Sequence, residues 1–100
     1  MFSIILVLSI SNLSAQTHSI TGQIKDKTDG LGIPGVNVIE KGTQNGTITD
    51  IDGNYSITIS SRTGTLQFSF IGYKPVEMAV NEMAVINIDL ESDVTELDEL

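Results

Sequence analysis

Asp50-Ile51-Asp52-Gly53-Asn54-Tyr55-Ser56-Ile57-Thr58-Ile59-Ser60 holds the two signals that decide the fold. Its first half concentrates Asp, Gly and Asn, which favour turns because their side chains bond nearby backbone N–H groups or their backbone tolerates positive φ. Its second half alternates, with Tyr55, Ile57 and Ile59 apolar and Ser56, Thr58 and Ser60 polar. A period of two puts one side of a strand on a core and the other in water. The same period recurs outward in both directions: Ile20 and Ile24; Val36 and Val38; Leu66, Phe68 and Phe70; Val76, Met78 and Val80; Ile86, Ile88 and Leu90. Between these runs stand Asp29-Gly30, Gly32, Pro34-Gly35, Asn45-Gly46, Gly64 and Gly72, which read as turns. No stretch from Gln16 to Leu90 carries apolar residues at i, i+3, i+4 and i+7 between caps, so no helix is expected there. Six or seven short strands in this span predict an all-β fold, an antiparallel β-sandwich with Greek-key or transthyretin-like connections. Asn45-Gly46 is expected to form a type I′ hairpin turn, with Thr47 to Thr49 as the short strand leaving it.

The 100 residues have room for one domain. Five Lys and Arg against thirteen Asp and Glu give a formal charge of −8, a field that repels phosphate backbones, so nucleic acid is not an expected partner. With no Cys there is no disulfide, thiolate nucleophile or Cys-bound zinc. A single histidine, His18, leaves neither a His-based triad nor a multi-His metal site to be assembled within the chain.

From Phe2 to Leu13 the chain is uncharged and mostly apolar, but shorter than the roughly 20 residues a membrane-crossing helix needs. Ser14-Ala15-Gln16 follows, small residues before a polar change of composition, so residues 1–15 read as a secretory signal cut after Ala15. No Lys or Arg precedes Lys25 to supply the basic start of such a leader, and the true start is expected upstream. Residues 16–90 form the expected domain. From Glu91 to Leu100 there are five carboxylates and no cation, read as an extended acidic linker running into something longer.

No catalytic, cofactor-binding or metal-binding residue is assigned. Asp50, Asp52 and Asn54 look at first like calcium ligands, but an EF-hand loop counted from Asp50 would need Gly where Tyr55 stands and Glu where Ser61 stands. An Asx-type turn closed by Gly53 explains them better. The triplets starting at Asn45 and Asn54 match the N-glycosylation pattern but are accounted for by turn chemistry. Tyr73 is weighed as an exposed binding aromatic and read instead as packing at the start of an edge strand marked by Lys74-Pro75.

Taken in order, Ile20-Thr21-Gly22, Gly32-Ile33-Pro34-Gly35-Val36-Asn37-Val38, Lys41-Gly42-Thr43, Asn45-Gly46-Thr47, Thr49 through Ile57, Phe68-Ser69-Phe70-Ile71-Gly72-Tyr73 and Glu96-Leu97-Asp98-Glu99 resemble the carboxypeptidase-regulatory-like domain. That domain stands at the N-terminus of SusC/RagA-type TonB-linked outer-membrane transporters. The likeness runs from about Ser19 to Glu99. It implies a seven-stranded, transthyretin-like β-sandwich in which the matched residues serve the fold: Pro34-Gly35 turning the chain into a strand, Asp52-Gly53 closing a hairpin, Gly72 permitting a tight bend. It further implies an exported accessory domain, not an enzyme, at the periplasmic face of the outer membrane, serving import of oligosaccharides or peptides through protein contact. The implied partners are the plug and barrel of the same transporter, the TonB system and a surface lipoprotein; no cofactor is implied. The alternative is a free-standing secreted β-sandwich that binds carbohydrate through aromatics such as Tyr73.

Overall fold

A computed structural model describes residues 17–93. In it the alternation around Tyr55 becomes burial: along Asn54–Ile59, Tyr55, Ile57 and Ile59 are buried while Asn54, Ser56 and Thr58 are exposed. Seven strands are described: β1 (His18–Asp26), β2 (Asn37–Glu40), β3 (Gly46–Ile48), β4 (Asn54–Ile59), β5 (Thr65–Ser69), β6 (Val76–Ala79) and β7 (Ile88–Leu90). No helix occurs among the described residues. The strands form two sheets, ordered β4-β1-β7 and β3-β2-β5-β6. Ile20, Ile24, Ile57 and Ile59 from the first sheet, Val38, Leu66 and Phe68 from the second, and Val36 just ahead of β2 share one buried core. Phe70, Val76 and Met78 lie half-buried against it. Each large aliphatic or aromatic side chain fully buried contributes about 1.5–3 kcal/mol, which is how a cysteine-free domain of this size holds together.

The sheet is not wholly antiparallel. β1 pairs antiparallel with β4 (Ile20↔Ile57) but parallel with β7 (Ile24↔Ile88, Asp26↔Leu90). Periodicity assigns faces, not the direction of the neighbour, and the β6–β7 connection crosses from one sheet to the other rather than closing a hairpin. Ahead of β7 the parallel contact begins at Thr21, which donates to Ala84 and accepts from Ile86. Asn87 interrupts it, its side-chain Oδ1 taking the Gln23 N–H at 2.8 Å where a backbone carbonyl would otherwise serve.

Two turn expectations are corrected. Asn45-Gly46 does not form a type I′ turn, for neither residue has positive φ. The β2–β3 hairpin closes through Glu40 N–H to the Asn45 carbonyl (2.9 Å), and its left-handed residue is Gly42, at φ 86°. With the loop lengthened to Lys41–Gln44, Asn45 is free to use its amide side chain elsewhere. Asp52-Gly53 likewise closes no hairpin. Strands β3 and β4 belong to different sheets, and this turn carries the chain between them. Its Asx geometry is as expected: Asp50 Oδ1 accepts the N–H groups of Asp52 and Asn54, both at 2.9 Å. Gly35 and Gly72 do hold positive φ (84° and 90°) at the bends assigned to them.

At the centre of the first sheet, Tyr55 and Gly22 are opposite one another on β4 and β1. The Tyr55 ring passes over Gly22 and donates its hydroxyl to the Ile86 carbonyl at 2.6 Å, tying β4 across β1 to the strand beyond. A Cβ at position 22 would land on that same carbonyl oxygen and against the Tyr55 ring. The ring also meets Phe68 of the other sheet edge-on, with centroids 5.8 Å apart. Burial pushes the Tyr55 hydroxyl up to about 12, since its ionised form would lose water it cannot replace.

Candidate interaction surface

The strand directions sort the connections into two ends. One holds the chain's entry at His18, the β2–β3 loop, the β4–β5 turn and the β6–β7 connection. The other holds the β1–β2 and β3–β4 turns, the β5–β6 connection and the departure of the chain from β7. They are built differently.

At the entry end the buried carboxylate of Glu40, on β2, holds the sheets together. Its Oε2 accepts from the Ser60 hydroxyl at 2.7 Å and the Ser60 N–H at 3.3 Å, while Oε1 accepts from the Asn45 amide at 3.1 Å. Asn45 also donates to the Thr58 carbonyl at 2.7 Å. Donors from Ser60, then Asn45, hold the Glu40 carboxyl below its ordinary range. It is a structural clasp between β2 and the end of β4, and it partly closes β4's outer edge against strand pairing.

At the exit end the Tyr73 hydroxyl donates to Asp26 Oδ2 at 2.6 Å, and Asp26 Oδ1 accepts the Thr28 and Asp29 N–H groups. The Tyr73 bond, then the backbone donors, lower the Asp26 pKa; the same bond raises that of Tyr73. Past β7, Lys74 donates its N–H to Glu91 and Asp93 donates to Gly72, so residues 91–93 run antiparallel to 72–74. The rest of the expected linker, like the expected leader, lies outside the described residues. At this end Leu31, Ile51 and Ile71 stand 65%, 81% and 87% exposed on three separate turns. Backbone contact between Gly32 and Asp52 joins the first two turns. The Tyr73–Asp26 bond joins the third to the first.

The residues singled out for chemistry fall here. Asp50 and Asp52 lie in the turn and Asn54 opens β4, with Asp50 as the acceptor. Among the described residues no group of three or more His, Asp or Glu is disposed to hold a metal, and no cavity is enclosed. Tyr73 is half-buried, stacked at a tilt on Phe70, with its hydroxyl occupied by Asp26. Sequence reading missed Glu40, for which an apolar-flanked acid at an alternating position was the available signal. It also missed the exposed trio, whose signal is an aliphatic residue inside a turn, off the strand period.

Comparison with known proteins agrees with this architecture. The chain is 45% identical over 92 residues to TonB-dependent receptor P39 of Formosa agariphila, covering 92% of this chain and 9% of that protein. It is 38% identical to TonB-dependent receptor SusC of Bacteroides thetaiotaomicron, covering 100% of this chain and 10% of SusC. The chain thus spans about a tenth of the length of the curated relatives it matches. Among solved structures, a type II cohesin–X-dockerin complex from Acetivibrio cellulolyticus superposes with a TM-score of 0.54 over 74% of this chain and 50% of that one, at 22% identity, a likeness of fold alone. Residues 20–100 match the family described as the CarboxypepD_reg-like domain, and with the sandwich core, the turn glycines and the receptor relatives in agreement, the chain belongs to that family.

Proposed function

We propose that this chain is the N-terminal accessory domain of a TonB-dependent outer-membrane transporter for oligosaccharides or peptides, working by protein contact rather than catalysis. The observation that carries the reading is the match to receptors over nearly the whole chain but only about a tenth of theirs. In this reading residues 1–15 are the export signal. Residues 16–90 are a transthyretin-like sandwich with Greek-key connections at the periplasmic face of the membrane. Residues 91–100 lead toward the TonB-contacting segment, plug and barrel, with a surface lipoprotein as a further partner. The dense acidic charge supports contact with basic partner segments.

In-frame deletion of residues 17–90 from the full-length gene product tests it. The barrel is expected still to reach the outer membrane while growth on the imported glycan or peptide falls. Import at the parental rate by the deletion strain, or a reading frame without barrel strands of about ten alternating residues beyond position 100, would overturn the proposal.

A further inference from the structure

Isolated aliphatic side chains on a protein surface are ordinary and need no explanation. Leu31, Ile51 and Ile71 differ because three separate turns bring them to one end, each at 65% exposure or more. None is positioned to serve the core, and each occupies a turn position where a polar residue would cost nothing. Of the other exposed apolar residues, Ile48 lies on the outer face of β3, paired with Asn37. Met83 and Val85 belong to one connection at the opposite end, where Met83 is 39% exposed and its carbonyl is held by His18.

The exit end is net negative, its carboxylates outnumbering Lys27 and Lys74. Asp29, Asp50, Asp52 and Asp93 stand in or beside the same turns. Of the lysines nearby, Lys74 already faces Glu91 at 3.8 Å. Three exposed aliphatic side chains among carboxylates at one end suit a segment that presents apolar side chains flanked by Lys or Arg. A second copy of this chain, at −8, carries the wrong charge. Residues 91–93 lie at this end, with the Asp93 N–H bonded to Gly72, next to Ile71. In a longer receptor, a downstream segment would be joined to Asp93 through residues 94–100 and so held at high effective concentration near this end.

We infer that Leu31, Ile51 and Ile71 form the docking face for a cationic, apolar-bearing segment of the same polypeptide C-terminal to Leu100. This rests on the reading above that the chain is one domain of a longer receptor.

Site-specific photo-crosslinking in the full-length receptor tests it, with p-benzoylphenylalanine replacing Ile51 and, as control, Gln44 in the β2–β3 loop at the opposite end. The expected result is an intramolecular crosslink from position 51 to a Lys- or Arg-containing peptide downstream of position 100, several-fold stronger than from position 44. It should weaken in about 1 M NaCl, where the screening length falls to about 3 Å. Crosslinks from position 51 only to other proteins, or no stronger than from position 44, would overturn the inference. Since domain deletion is scored by import and docking by crosslink position, a receptor that needs the domain but shows no crosslink at 51 loses this inference and keeps the function.

Discussion

Tyr55 and Tyr73 each donate a hydroxyl at 2.6 Å to an acceptor on another element, yet one is in the core and the other at the exit corner. Tyr55 is buried over Gly22, against Phe68, and its acceptor is a neutral backbone carbonyl. Tyr73 is half-buried and its acceptor is a carboxylate that also caps a turn. The interior bond is locked by packing, since losing it strands a buried carbonyl. The corner bond is exchangeable, because water can replace either partner. The strand crossing is thus held by a packed, buried bond, and the exit corner by one that solvent can compete for.

Substitutions can break that contrast. The largest effect is expected at Gly22→Ala, whose new methyl meets the Ile86 carbonyl and the Tyr55 ring together; a loss of about 4 kcal/mol or more would appear in urea unfolding. Phe68→Ala removes the fully buried ring that joins the sheets and should cost about 3–5 kcal/mol. Tyr55→Phe keeps the ring but leaves the Ile86 carbonyl without its donor, for about 1–3 kcal/mol. Tyr73→Phe should move the melting temperature least. If it equalled Tyr55→Phe, the exit corner would be as rigid as the core.

Titration sharpens the same comparison. The carboxyls of Glu40 and Asp26 sit below their ordinary values of 4.5 and 3.8 in the folded chain, so their stabilisation is complete above those values and is lost as pH falls through the lowered ones. Stability should therefore decline below about pH 4.5. Glu40→Gln should reduce that acid sensitivity at the entry end. Tyr55 acts in the other direction. Its pKa is raised from 10.0 to about 12, so stability is full below pH 10 and falls as pH rises toward 12, while the unfolded chain ionises and the folded one resists. Tyr55→Phe should flatten that alkaline decline, read as unfolding midpoints across the range.

Much of the fold was legible in the sequence because burial follows period two. Of the residues read as inward, Ile20, Ile24, Val36, Val38, Tyr55, Ile57, Ile59, Leu66, Phe68, Val80, Ile86, Ile88 and Leu90 are buried, while Phe70, Val76 and Met78 are half-buried. What alternation does not encode is which strand lies beside which. The parallel β1–β7 pair and the change of sheet at Asp52-Gly53 depend on contacts between residues far apart in sequence. Asn45-Gly46 misled for a local reason: the amide of Asn45 is engaged by Glu40 and Thr58, and the left-handed position moved to Gly42. The docking face was written in the sequence as Leu31, Ile51 and Ile71 within turns, but only the fold brings the three turns to one end.

Hydrogen exchange measured in the 100-residue chain and again in the full-length receptor tests the central claim most directly. The account predicts slow exchange at the Gly22–Tyr55 crossing in both, and added protection in the receptor at the turns around Leu31, Ile51 and Ile71. Unchanged protection at those turns, or a gain confined to the Lys41–Asn45 loop at the other end, would contradict it.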